Sequence, residues 1–365
     1  MKKVLVVSTL AVGLSFAHHG VASLGSVGLE GPGAPLETSS SATIPEGKWL
    51  LYLKLDHVKW KRYSFSEFPD QKDSYHFWTY GIGYGLRPWL SLYLFIPYYT
   101  KKEIKSKDGG FYSYTNSGFA DLSLMAVFGF KYDKGFKLVP RQESLDDLMD
   151  WHFTLYGGIS LPTGNPNKYD RSRDPKGEFE PDMSTGFGKP SIRLGFTATK
   201  QLVRFPRLTF VFDTNYIKFF EHTYNYTEDG RRKKYKFGDE FRLNTALAYR
   251  FYEDMDRKLR LDALLEADFQ HNQRDKEDGV KQSASGGSIL YGVGGIRLYY
   301  KSMSLGAGIK VPLWKRLNEE GQQQGSEGKE SYRFILTLST PFFRRLACIY
   351  PMAFWLRRST YQPTL

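Results

Sequence analysis

Apolar and polar side chains alternate with a period of two along most of this chain. In Tyr332 to Phe342, residues Tyr332, Phe334, Leu336, Leu338, Thr340 and Phe342 fall on one face, and Arg333, Ile335, Thr337, Ser339 and Pro341 on the other. A strand of about 9–11 residues tilted about 45° crosses a hydrocarbon layer. The segment therefore has the length and pattern of a transmembrane barrel wall. A soluble sandwich strand alternates in the same way, so the number of repeats carries the argument.

The same period recurs along the chain. Leu50 to Trp60 sets Leu51, Leu53 and Leu55 against Tyr52, Lys54 and Asp56. Tyr75 to Leu86 sets Trp78, Tyr80, Ile82 and Tyr84 against Thr79, Gly81, Gly83 and Gly85. Leu90 to Tyr99, Phe119 to Lys131, His152 to Leu161, Ile192 to Lys200, Leu208 to Ile217 and Phe241 to Arg250 follow. Leu259 to Gln270 is the clearest: an unbroken apolar face opposes Arg260, Asp262, Glu266, Asp268 and Gln270, interrupted only by Leu264. Ile289 to Tyr300, Ser304 to Leu313 and Tyr332 to Phe342 complete twelve predicted strands. So dense a charged face needs water or ion partners.

Connection lengths give an independent test. Connections 61–74, 100–118, 162–191, 218–240, 271–288 and 314–331 are long and polar, whereas 87–89, 201–207, 251–258 and 301–303 are short. Outer-membrane barrels pair short periplasmic turns with long outer loops, and they close on themselves with an even strand count. The connection 132–151 departs from the rule. Its run Ser144 to Met149 has the pattern of a small helix with an acidic face. The reading is an all-β fold, a transmembrane antiparallel β-barrel of about 12 strands with an N-terminal periplasmic arm or plug.

Composition agrees. The 365 residues include 35 Gly, 25 Tyr and 27 Phe, with only 41% hydrophobic residues. No apolar run of about 18 residues follows the N-terminus, which argues against a helical membrane protein. Residues 1–17 read as a signal peptide, with Lys2 and Lys3 before an apolar core and Ser15-Phe16-Ala17 as the cleavage site. Residues 18–47, rich in Gly, Ser, Pro and Thr and without periodicity, form the arm or plug, residues 48–343 the barrel, and residues 344–365 an atypical tail. A single Cys, Cys348, excludes an internal disulfide and a cysteine metal cluster. Secretion without disulfides fits the outer membrane of a Gram-negative bacterium.

The formal charge is +12. Six of the cations, Lys2, Lys3, Arg344, Arg345, Arg357 and Arg358, lie in the signal or the tail, leaving about +6 elsewhere. The remaining basic residues are scattered over loops and lumen, so the chain is not read as binding nucleic acid.

Three motifs carry a family resemblance: Gly118-Phe119-Ala120-Asp121-Leu122-Ser123-Leu124, Gly158-Ile159-Ser160-Leu161-Pro162-Thr163-Gly164 and Gly186-Phe187-Gly188-Lys189-Pro190-Ser191. With these, residues 30 to 342 or so resemble a family of outer-membrane transporters grouped with a protein named for the meta pathway of phenol degradation. The resemblance implies a passive channel for small hydrophobic or aromatic molecules. The tail after Phe343 departs from the pattern.

Alternation assigns to the lumen Lys54, Asp121, Tyr156, Arg193, Asp213, Arg242, Arg260, Asp262, Glu266, Asp268, Arg297, Lys310 and Arg333, together with Arg250, Tyr93, Phe95 and Tyr99. Two readings stand open. One is a selectivity lining of mixed sign; the other is a cross-strand ion-pair network that stiffens the wall. A structural or adhesive barrel without transport is the alternative function, and an outer-membrane enzyme the lesser one. An enzyme of this kind needs a base beside its nucleophile, and His57, His76, His152, His222 and His271 are scattered in sequence. Neither a catalytic residue nor a cofactor is assigned. His18-His19, next to a new N-terminus, is a combination able to hold Cu or Zn. Loop residues Tyr224 to Phe237, with Arg231, Arg232, Lys233 and Lys234, suit anionic lipopolysaccharide. Membrane lipid, the barrel-assembly machinery and a small solute complete the expected partners.

Overall fold

The computed structural model describes residues 33–62, 70–107, 110–141, 149–170, 177–178, 181–225, 232–318 and 330–342. The signal segment, His18-His19, residues 144–148 of the acidic run, Arg231 and the tail beyond Phe342 lie outside the described residues.

The wall is built from β1 (Trp49–Trp60), β2 (Asp70–Arg87), β3 (Leu90–Lys107), β4 in two pieces (Gly110–Phe119 and Leu122–Tyr132), β5 (Trp151–Leu161), β6 (Ser191–Leu202), β7 (Phe205–Lys218), β8 (Glu240–Asp254), β9 (Leu259–Asn272), β10 (Gly287–Tyr300), β11 (Met303–Leu317) and β12 (Glu330–Phe342). Each pairs antiparallel with the next, and β12 pairs with β1 from Trp49 opposite Phe342 to Val58 opposite Arg333. The sheet has 14 segments because β4 counts twice and a short hairpin piece, Phe136–Leu138, is added beside it, which leaves twelve wall positions. Pairing of β12 with β1 closes the sheet on itself, which removes the open edges a flat sheet would present to lipid.

The alternation has the expected sense. Leu51, Leu92, Leu194, Leu265, Ile296 and Ile309 are exposed on the outer face, while Lys54, Asp262, Arg297 and Thr337 are buried. A soluble protein does not bury charge and expose leucine in this way; a wall between lipid and lumen does. At one end β2 to β3, β6 to β7, β8 to β9 and β10 to β11 are joined by tight turns.

The strand boundaries differ from expectation in two places. Connection 100–118 is largely strand and strand extends into the end of 61–74: β2 begins at Asp70, β3 runs to Lys107, and the outer piece of β4 begins at Gly110. The strand expected as Phe119 to Lys131 is interrupted at Ala120-Asp121, opposite Pro97. Proline has no N–H to give the ladder, and the break turns Asp121 away from regular pairing. At the long-connection end His222–Tyr224, Lys233–Lys236, Lys276–Glu277 and Val280–Lys281 form a separate small sheet.

Candidate functional site in the lumen

Residues 33–47 are not part of the wall. They enter the lumen from the tight-turn end, turn at mid-height and return to the same end. Ala34 N donates to Tyr299 Oη at 3.1 Å on the way in, and Thr43 Oγ1 donates to the Pro88 carbonyl at 2.6 Å on the way out. Gly47 N reaches the Gly85 carbonyl at 2.8 Å. The limbs are held mostly by side chains: Ser41 N donates to Thr199 Oγ1 at 2.8 Å, Ile44 N to Ser91 Oγ at 2.8 Å, and Arg297 to the Pro35 carbonyl at 2.7 Å.

The tip carries the charge. Glu37 lies between Lys54 of β1 and Lys310 of β11, with Lys310 at 2.8 Å from Glu37 and at 2.8 Å from Asp268. Glu266 accepts from Leu36 N at 2.6 Å, Thr38 N at 2.8 Å and Thr38 Oγ1 at 2.8 Å. Successive backbone N–H groups thus converge on one carboxylate, a strong charge-assisted arrangement.

The wall is shaped for this segment. Leu36 is fully buried among Ala248, Leu264, Val293 and Ile335. Leu264 and Ile335 are the apolar breaks in otherwise polar inner faces. They are Leu36's seat. Glycines supply the remaining room: a Cβ at Gly308 would stand 2.3 Å from Leu36 Cδ1, and one at Gly85 would stand 2.2 Å from the Pro45 carbonyl oxygen. Backbone cannot step aside as a side-chain tip can. Gly85→Ala therefore displaces the outgoing limb, and in planar bilayers this variant opens more often than the parent chain. Gly294→Ala, where nothing lies within 4 Å, behaves as the parent.

The residues assigned to the lumen do different things. Arg260 meets Asp262 at 2.6 Å, Arg242 meets Glu240, Lys54 is 3.3 Å from Asp56, and Arg333 is 2.9 Å from Glu330. These pairs run along single strands, at spacings of two or three residues. Residues two apart share a face of the pleat, and the register shift between Lys59 and Trp60 opposite Glu330 brings Glu330 onto the face of Arg333. Tyr156 donates to Asp213 at 2.7 Å. Arg193 borders a small cleft of about 20 Å³, room for a single water molecule, with Phe95, Ser123, Met125, Ser160 and Ile217, beside the break in β4.

Asp121 does not face the mid-lumen. It accepts from Gly164 N at 2.8 Å and Phe187 N at 2.9 Å, so all three motifs meet at one carboxylate. A Cβ on Gly164 would stand 2.8 Å from Gly186 Cα, and one on Gly186 would stand 2.8 Å from Asp121 Oδ1. The clasp folds residues 181–187 into the mouth, where Lys101 donates to the Ser184 carbonyl at 2.7 Å and Asn116 to the Met183 carbonyl at 2.7 Å. Phe187, Phe219, Tyr224, Tyr235 and Phe237 pack there with Phe77 and Tyr99. Tyr224, Tyr235 and Phe237 of the segment read as suited to lipopolysaccharide are thus turned inward. Just outside β8, burial alone would raise the Asp239 carboxyl. Hydrogen bonds from Lys236, Tyr216 and Phe219 N outweigh that and hold it below the usual carboxylate range.

One expectation about the histidines is corrected. His271 Nδ1 lies 2.9 Å from Ser288 Oγ on an exposed rung between β9 and β10. Among the described residues no third group is recorded on that ring. A serine–histidine pair without an orienting partner lacks what holds a base in its working tautomer.

The family model described as "Putative MetA-pathway of phenol degradation" matches residues 75–316. The chain belongs to that family. Among solved structures it is similar to the COG4313 outer membrane channel from Pseudomonas putida F1, at 13% identity and a TM-score of 0.56, covering 83% of this chain and 98% of that one. It also matches the translocator domain of autotransporter NalP from Neisseria meningitidis at 11% identity, covering 81% of this chain and 88% of that one, with a TM-score of 0.42. No curated protein sequence matches. The family member thus has the fold of an outer-membrane channel, which places it in the outer membrane of a Gram-negative bacterium.

Proposed function

We propose that the chain is a passive channel for small apolar or aromatic solutes, closed in this state by residues 33–47. One observation carries the reading: a segment that pairs with no strand fills the lumen of a closed barrel through hydrogen bonds and ion pairs. A side-chain-held filler is removable without breaking the wall. The aromatic mouth supports solutes with an apolar body. No reaction is assigned to the chain. Lipopolysaccharide around the long-connection end and insertion by the barrel-assembly machinery belong to the same proposal.

Uptake by whole cells tests it. Cells lacking the chain and cells supplied with it are given radiolabelled simple phenols, benzoate and a sugar of similar size, at low concentration. Faster uptake of the aromatic compounds alone supports the proposal. Equal rates in both cells, with the barrel present in the membrane, end it.

A further inference from the structure

Strand register brings together two histidines that lie far apart in sequence. His57 of β1 stands directly opposite His76 of β2, both on the outer face. Cβ atoms of such a pair are about 4.5–5.5 Å apart. The imidazoles face each other across this gap: His57 Nδ1 is 3.0 Å from His76 Nε2, and the ring centres are 4.6 Å apart.

We propose that His57 and His76 form a two-histidine site for a divalent transition metal, with Cu(II) the preferred ion. Two nitrogens bound to one metal at about 2.0–2.1 Å stand about 2.9 Å apart at a right angle and about 3.4 Å apart in a tetrahedron. Ring centres in the right-angled case are about 4.5 Å apart. Both observed separations match the right-angled case. That is the tetragonal geometry of Cu(II), which also heads the affinity order for nitrogen ligands.

Lys59, the next residue on the same face, turns its ammonium to Asp73 at 2.5 Å, and Asp73 also gathers Arg62 at 3.2 Å and Lys102 at 3.5 Å, so the nearby cations are drawn onto one carboxylate rather than onto the imidazoles. Asp73 sits at a register shift between Lys72 and Ser74, and a bulge of this kind re-aims a side chain. These charged groups on the same outer face put the histidines at the water boundary of the wall rather than in hydrocarbon. Neither ring is fully buried, so water or an oxygen ligand completes the coordination. Binding needs both facing nitrogens unprotonated. The single proton between them in the metal-free pair moves to the far nitrogen of its own ring, so each imidazole stays neutral.

Copper titration of the refolded full chain in detergent tests the site, with folding of every variant confirmed by heat-modifiable gel mobility. The expected result is one site per chain with a two-nitrogen paramagnetic resonance spectrum. It weakens at least tenfold in His57→Ala and equally in His76→Ala, and is unchanged in His152→Ala. Excess Cu(II) also raises the unfolding temperature of the parent but not of either variant, because a ligand stabilises only the state that binds it. Superimposable isotherms for the parent and His57→Ala overturn the proposal. So does loss in one of the two variants only, or loss only when His18 and His19 are replaced.

Discussion

A chain lacking residues 33–47, refolded into planar bilayers, shows stable openings under conditions in which the intact chain stays closed. The deletion takes Leu36 from its seat, frees the Glu266 carboxylate and removes Glu37 from between Lys54 and Lys310. It takes no strand from the wall, because β1 begins at Trp49 and closes on β12 without the segment. Heat-modifiable mobility of the deleted chain therefore stays that of a folded barrel. The single change Glu37→Gln acts in the same direction and more weakly. Lys54 keeps Asp56 and Lys310 keeps Asp268, so neither ammonium is stranded. Loss of the two ion pairs costs about 2–3 kcal/mol, equivalent to a 30- to 150-fold shift, roughly, in the ratio of seated to released segment. Silence of the deleted chain, with folding confirmed, ends the reading of residues 33–47 as the closure.

The second large effect is at the other end of the barrel. Asp121→Ala leaves Gly164 N and Phe187 N without an acceptor in a site that excludes water. Each stranded N–H costs about 1–3 kcal/mol. The inturned loop has other holds, from Lys101, Asn116 and Tyr224, but these act on carbonyls, and Asp121 is the acceptor that ties its two limbs together. The expected outcome is release of the loop, read as tryptic cleavage after Lys168 at least tenfold faster than in the parent. Asp121→Asn falls between the two, since its amide oxygen accepts one N–H while its NH2 group opposes the other. Parental cleavage rates in Asp121→Ala would show that the loop is held without the clasp.

The two closures differ in kind. Below, polar groups meet a polar segment; above, aromatic rings meet an inturned loop. Under the proposed function, a solute with an apolar ring and one polar group would meet a partner at each level. Several inner-wall charges are paired along single strands, Arg242 with Glu240, Arg260 with Asp262 and Arg333 with Glu330. This weighs the selectivity reading of Arg242, Arg260, Asp262 and Arg333 towards a structural role, while Lys54, Glu266, Asp268, Arg297 and Lys310 serve the closing segment directly.

The sequence by itself determined the barrel. A period of two repeated twelve times, with short and long connections at opposite ends, specifies the wall, its sense and its closure, because each strand must present one face to lipid and one to the lumen. It also marked the places the segment occupies, as Leu264 and Ile335 breaking polar faces at Leu36 and as Gly83 and Gly85 in one row beside Ile44 and Pro45, without saying what fills them. Tertiary structure alone decided the rest. Which residues meet across the lumen depends on strand order, tilt and stagger, and these are properties of the closed sheet rather than of any one strand. Glu37 finds Lys310 across 273 positions of sequence, Asp121 gathers two loops, and His57 meets His76 through register. None of these encounters leaves a periodic trace in the chain, because each is made by a single side chain whose partner is fixed only when the barrel closes.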